Sequence, residues 1–290
     1  MTLADRVTFR LVASDLDGTL VRSDRTISAR TVSALRRMTA DGAAVALVTG
    51  RPIRWMPEVY AQLPVPVIAI CANGAAVHDP ADDRLVWERS LTPDLLSEAT
   101  TRLREAVPGV AFAVERAGGR YLRHEAEYPI GGWEADHPAV RPADPVELVS
   151  EPAAKLLVRA DLTRNPGRDA GRAAADAFTR AVSECLAGLA EATHSSDSGM
   201  VEVSAPGVTK GSGLAWLAGQ MGVPAEQVIV FGDMPNDLPM FAWAGRAVAM
   251  GNAHPAVRNA ADRVTGSHDD DGVAAYLDQL LDAASVDPVG

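Results

Sequence analysis

The stretch Phe9-Arg10-Leu11-Val12-Ala13-Ser14-Asp15-Leu16-Asp17-Gly18-Thr19-Leu20 decides how the chain is read. Phe9 to Ser14 is a short β-prone run that breaks into an acidic turn. Asp15 and Asp17 flank a single residue, so in extended chain their side chains share a face. Gly18 then allows the backbone to depart sharply. Ligands of an open parallel sheet bind at this kind of edge, just past the carboxyl end of a strand.

Outward from that stretch, strand and helix signals alternate. Ser28 is a predicted N-cap, with Val32, Leu35 and Met38 following at helical spacing and Gly42 as the stop. Ala43 to Val48 is an unbroken apolar run of strand length, ending in Thr49-Gly50-Arg51, and Pro52 suits the first turn of a helix. Pro66 to Cys71 is another apolar run, closed by the turn signal Asn73-Gly74. Strands that are apolar throughout predict a parallel sheet covered on both faces.

The pattern changes after residue 77. A strand over Leu85–Glu88, a helix opened by Thr92-Pro93 and strands over Val110–Glu115 and Arg120–Arg123 come first. An irregular Pro- and Gly-rich loop over 129–146, a strand over Lys155–Ala160, a helix over Ala170–Leu189 and a strand over Met200–Ser204 follow. The first pattern then resumes. A helix over Lys210–Met221 leads to a strand over Gln227–Phe231 that ends at Gly232-Asp233. A helix over Asn236–Trp243, a strand over Ala247–Met250, a helix over His254–Ala261 and a last helix from Asp271-Gly272 complete the chain. The expected organisation is an α/β protein with a Rossmann-like doubly wound parallel-sheet core. That core comprises residues 1–77 and 203–290, and residues 78–202 form an inserted α/β cap domain.

Composition narrows the function. The chain has 290 residues, a formal net charge of -11 and a pI near 5.0. Such an acidic balance argues against nucleic acid as a partner. An anionic substrate would then need local positive charge or a cation at its site. The two cysteines, Cys71 and Cys185, read as buried reduced thiols. No apolar leader precedes the first strand and no run is long enough to cross a membrane, so a cytoplasmic protein without membrane contact is expected.

Polar residues recur at predicted element ends: Asp15 with Asp17, Thr49-Gly50-Arg51, Lys210, and Gly232-Asp233 through Asn236-Asp237. Each alone has a plain reading as a turn, a helix cap or a solvated lysine. Their convergence points to chemistry. Carboxylates from Asp15, Asp17 and Asp233 held close would repel without a cation, and hard oxygen ligands suit Mg2+. Asp15 can attack phosphorus, and Asp17 can serve the leaving oxygen and then the hydrolytic water. For that task Asp17 must start protonated, which requires burial or neighbouring carboxylates. Thr49, backbone N–H groups near Gly50, and Lys210 can hold the non-bridging oxygens.

These segments resemble the motifs of the haloacid dehalogenase superfamily, and more narrowly its Cof-type phosphatases. Asn73-Gly74-Ala75, Pro206-Gly207-Val208-Thr209-Lys210-Gly211 and Ala249-Met250-Gly251-Asn252-Ala253 extend the likeness over nearly the whole chain. The resemblance implies a Mg2+-dependent phosphatase acting on a small phosphorylated metabolite through an aspartyl-phosphate on Asp15. It implies metal contacts from Asp15, the Asp17 backbone carbonyl and Asp233, with Asp237 behind the metal or as an auxiliary ligand. It adds Asn236 as a phosphate contact and gives residues 78–202 the role of a cap. Within the cap, Arg120, His124, Trp133 and His137 are candidates for reading the leaving group, each with a surface or packing alternative. His268 with Asp269, Asp270 and Asp271 reads as a helix N-terminus rather than a second metal site. The competing functions are a phosphosugar mutase, a phospho-accepting signalling receiver and a silent binding protein. The insertion and the Asp-x-Asp spacing oppose the receiver.

Overall fold

The computed structural model describes residues 9–159, 168–194 and 199–285. The strands, in chain order, are β1 (Leu11–Ser14), β2 (Ala44–Val48), β3 (Ala69–Cys71), β4 (Ala76–Asp79), β5 (Arg84–Glu88), β6 (Ala111–Arg116) and β7 (Tyr121–His124). They continue as β8 (Val140–Pro142), β9 (Lys155–Arg159), β10 (Glu191–Thr193), β11 (Met200–Ser204), β12 (Val228–Gly232), β13 (Arg246–Ala249) and β14 (Arg263–Val264).

An eight-stranded sheet runs β14-β13-β12-β1-β2-β3-β4-β5. Every pairing from β14 to β3 is parallel, and β4 and β5 add an antiparallel edge. The chain winds from β1 to β2 and β3 in one direction. It returns at β12 on the other side of β1 and winds away through β13 and β14. The reversal leaves a crevice past the ends of β1 and β12, the switch point where open sheets bind ligands. Leu11, Val12 and Ala13 are fully buried, as a strand covered on both faces must be. Helices Ala29–Ala40 and Gly272–Ser285 pack on each other, as do Lys210–Gln220 and Leu238–Trp243. Ser28 caps the first of these by accepting the Thr31 N–H. This is the Rossmann-like α/β core expected from the alternation.

A second sheet of six strands runs β10-β11-β9-β6-β7-β8, antiparallel except for β7 with β8. Side chains alternate across it. Phe112, Val114, Leu156, Val158, Val201 and Val203 join the cluster that includes Leu96 and Leu103 of helix Pro93–Ala106 and Val182 of helix Arg168–Cys185. Ala111, Ala113, Leu122 and Leu157 form a smaller apolar patch on the opposite face, with Tyr128 and Met200.

Several sequence expectations shift. β5 was expected in the insertion, but it pairs with β4 on the edge of the large sheet. β11 runs in the small sheet through Ser204. We propose that the cap boundaries fall near Ser90 and Pro206. Residues 129–146 are not wholly irregular. They hold a 3-10 turn (Gly132–Asp136), β8, and the start of helix Pro145–Val149, whose N-cap Asp144 accepts two backbone N–H bonds. Composition hid β8 because an edge strand of three residues has no alternation to read.

Candidate active site

Three loops and one helix start converge past the switch point. The Asp15 N–H donates to the Phe231 carbonyl at 3.0 Å, extending the β1–β12 ladder by one residue. That bond leaves the Asp15 side chain at the sheet edge, 5% exposed. Gly18 sits at φ +81°, and a Cβ there would lie 2.3 Å from Asp233 Oδ2. The glycine is therefore needed both for its backbone conformation and for the close passage of Asp233. Thr19 Oγ1 donates to Asp233 Oδ1 at 2.9 Å. Asp237 Oδ2 accepts the N–H groups of Asp233 and Met234 at 2.8 and 3.0 Å, which folds the loop after β12 back on itself.

Lys210 opens helix Lys210–Gln220, whose Thr209 N-cap forms a reciprocal capping box with Ser212. Gly74, at φ +99°, lets the turn after β3 approach this start so closely that a Cβ would meet the Thr209 carbonyl at 2.0 Å. Lys210 Nζ donates to Asp15 Oδ1 and to Asp237 Oδ1, both at 2.6 Å.

Asp15, Asp233 and Asp237 each bring a carboxylate oxygen within 4.8 Å of the others, and all three are buried. Burial pushes the Asp15 carboxyl up to about 7 despite the opposing pull of Lys210, and Asp237 and Asp17 push the same way. Burial, then the neighbouring Asp15 and Asp237, hold Asp233 well above the usual carboxylate range. Burial alone would lower the Lys210 ammonium, but Asp15 and Asp237 outweigh it and leave it raised. Three carboxylates thus share one ammonium, and the deficit of positive charge fits a divalent cation. Among the described residues no hydrogen bond takes Asp15 Oδ2 or Asp233 Oδ2. Hard, uncommitted oxygens of this kind suit Mg2+. Both Asp237 oxygens are already engaged, by Lys210 and by the loop amides.

Asp17 stands apart from this cluster. Its side chain is 58% exposed and takes a bidentate pair from Arg51, at 2.7 Å from Nε and 2.6 Å from Nη2. The carboxylate is exposed rather than buried, and it rests on Arg51 instead of on the three buried aspartates. Thr49 is buried, and its Oγ1 accepts the Arg51 N–H at 3.0 Å. Asn236 Nδ2 donates to Asn73 Oδ1 at 3.0 Å, and Asn236 Oδ1 is buried without a hydrogen-bond partner. Asp15, Asp17, Thr49, Gly50 and Asn236 all line one cavity of about 960 Å3.

The opposite wall of the cavity is the small sheet. Lys155 Nζ reaches across to the Gly50 carbonyl at 2.6 Å and to Glu202 Oε1 at 2.8 Å. Glu202 Oε2 accepts from Asn73 at 3.0 Å. Arg54, from the segment after β2, donates to Glu115 and Glu134 at 2.9 and 2.8 Å. These ties join the second sheet to the Thr49-Gly50-Arg51 loop.

Of the cap candidates, His137 lines the cavity. Arg120 instead pairs with Asp83, and His124 Nδ1 bonds the Glu125 carbonyl; neither lines it. The Trp133 side chain lies outside the described residues. Asp269 accepts from Ser23 and Asp271 from Arg22, so the acidic run before the last helix ties down the segment after Val21. Sequence reasoning missed Arg54, Glu115, Lys155, Arg159 and Glu202. The one available signal was charge at alternate positions of otherwise apolar strands, as in Lys155-Leu156-Leu157-Val158-Arg159.

A model of the haloacid dehalogenase-like hydrolases matches residues 12–277. The chain is 32% identical over 275 residues to 5-amino-6-(5-phospho-D-ribitylamino)uracil phosphatase YitU of Bacillus subtilis, covering 93% of this chain and 97% of that one. It is 31% identical to phosphatase YwpJ of the same organism, covering 94% and 100%. Among solved structures, BT1666 of Bacteroides thetaiotaomicron, described among phosphatases of the same superfamily, shares the fold. Its TM-score is 0.76 at 23% identity, covering 96% of this chain and 97% of that one. The chain belongs to the haloacid dehalogenase-like hydrolases, as an enzyme of the phosphatase type to which these relatives are assigned.

Proposed function

We propose that the protein hydrolyses a monoester of a small phosphorylated metabolite through an aspartyl-phosphate on Asp15, with Mg2+ held by Asp15 and Asp233. The observation that carries this reading is the Asp15 carboxylate. It lines the cavity, one oxygen is fixed by Lys210, the other is uncommitted, and the surrounding charge is deficient in cations.

Bound Mg2+ would supply charge for the phosphate and lower the Asp15 carboxyl into its nucleophilic form. The Asp15 carboxylate attacks phosphorus, the ester P–O bond breaks, and the departing oxygen takes a proton from Asp17, which takes that proton up from solvent once it has left Arg51. Water then attacks phosphorus of the acyl phosphate, Asp17 accepts its proton, the P–O bond to Asp15 breaks to restore the carboxylate, and inorganic phosphate leaves. Thr49, the amides beside Gly50, Lys210 and Asn236 hold the non-bridging oxygens. The resting Asp17–Arg51 pair gives this sequence its first event. An incoming phosphate competes for the Arg51 guanidinium and frees Asp17 to turn toward the leaving oxygen.

The test is phosphate release from p-nitrophenyl phosphate and a panel of sugar phosphates, with Mg2+ and with a chelator. Metal-dependent turnover is expected. Folded protein that releases no phosphate from any member under either condition would overturn the reading.

A further inference from the structure

Register and alternation place three side chains of β9 in one row on the cavity side of the small sheet: Lys155, Leu157 and Arg159. Their neighbours in the pairing are Glu115, Ala113 and Ala111 of β6 on one flank, with Met200 and Glu202 of β11 on the other. The two ends of the row differ. Lys155 is committed to Gly50, Glu202 and Glu115. Arg159 also lines the cavity, but its Nε is buried with no hydrogen-bond partner, and it forms no ion pair among the described residues. The other arginines of the lining differ from it: Arg51 is matched by Asp17 and Arg54 by Glu115 and Glu134, and Arg25 is exposed to solvent. A guanidinium left unpaired in a sheltered wall is costly unless a ligand supplies the acceptor.

Distance defines that ligand. Lys155 touches the Thr49-Gly50-Arg51 loop, and Arg159 lies four residues further along the strand, roughly 13 Å away. The wall between is mainly apolar, made by Leu157, Leu122, Tyr128 and Met200, and Glu202 beside Leu157 is already engaged by Lys155 and Asn73. Resting on the phosphatase reading above, we infer that Arg159 is a specificity residue that binds a second anionic group at the far end of the substrate. The substrate class is a phosphomonoester with an apolar or flat middle and a distal carboxylate or second phosphate. Arg159 touches the leaving part of the molecule and takes no part in the phosphoryl step.

The experiment uses ω-carboxyalkyl phosphates of graded length, each paired with the ω-amide of equal length, and a parallel series of alkanediol bisphosphates. At long chain lengths the wild type is expected to favour one of the anionic series over the amides by about tenfold or more in kcat/KM, through KM. At three carbons the advantage should vanish. Arg159→Gln should bring the long-chain ratio close to one, and Arg159→Lys should keep part of it. A wild-type ratio near one at every length overturns the inference. So does an Arg159→Gln protein that keeps the ratio, or one that loses both members of each pair equally. Absence of any turnover of p-nitrophenyl phosphate, of the sugar phosphates and of both ω-series would refute the phosphatase reading separately. In that event, calorimetric binding of an ω-carboxyalkyl phosphonate decides the matter: weaker binding to Arg159→Gln than to wild type supports the role of Arg159, and equal affinity overturns it.

Discussion

Two buried lysines flank the cavity, Lys155 in its lining and Lys210 behind the Asp15 carboxylate, and their surroundings differ. Lys210 and Lys155 are each 1% exposed, and each is held by two carboxylates. Around Lys210, three aspartates share one ammonium. Around Lys155, Glu115, Glu134 and Glu202 are met by both Lys155 and Arg54. The first cluster leaves a deficit that a proton or an added cation must fill, and the second is nearly balanced within the chain. On the proposed function, the buried charge imbalance belongs to the reacting end, and the better-balanced network of similar depth serves to tie the two sheets together.

Asp15→Asn should break the comparison most severely. Turnover is expected to fall by about four orders of magnitude or more, roughly 5 kcal/mol in barrier, with the circular dichroism spectrum unchanged. Asp17→Asn should cost about 10²–10⁴ in turnover and leave phosphorylated Asp15 detectable by mass spectrometry after quenching. Residual activity of Asp15→Asn equal to the parent would remove Asp15 from its assigned role.

Replacing each lysine sharpens the contrast. Lys210→Met and Lys155→Met should each lose about 3–5 kcal/mol of stability in urea, because each leaves buried carboxylates unpaired. Only in Lys210→Met should added Mg2+ recover more stability than it confers on the parent. Equal recovery in both variants would mean that the charge deficit does not distinguish the two walls.

The pH dependence of metal binding follows from Asp15. Its folded carboxyl is raised from 3.8 to about 7, so the protonated form stabilises the fold fully below about pH 4. That contribution is lost as pH rises through about 7, where a cation can replace the proton. The gain in Tm on adding Mg2+ should therefore be small at pH 5.5 and large at pH 8. A gain that shrinks with rising pH would contradict this linkage. The smallest effect is expected from Thr19→Val, which removes one hydrogen bond to Asp233 and should cost about 1 kcal/mol in urea.

The two walls also differ in how much of them could be read beforehand. Asp15, Thr49, Lys210 and Asp233 lie in short contiguous motifs at the ends of apolar runs, where strand, turn and helix signals agree. Their convergence followed from parallel winding alone. The small-sheet wall draws one or two residues from each of several antiparallel strands. Glu115, Arg159 and Glu202 meet only through strand register, and three-residue edge strands such as β8 carry no periodicity. Arg120 and His124, for which a surface or packing role was the alternative, pair with Asp83 and the Glu125 carbonyl away from the cavity.

By itself, the order of apolar runs and turns determined a doubly wound α/β core, and placed Asp15 and Asp233 at its switch point. That was possible because local hydrophobic periodicity and backbone chirality leave a parallel sheet few other ways to wind. Only the tertiary structure decided that Asp17 rests on Arg51, that Lys155 ties the second sheet to Gly50, and that Arg159 faces the cavity without a partner among the described residues. Those are pairings between side chains distant in sequence. Their energies depend on burial and register, which no single segment encodes.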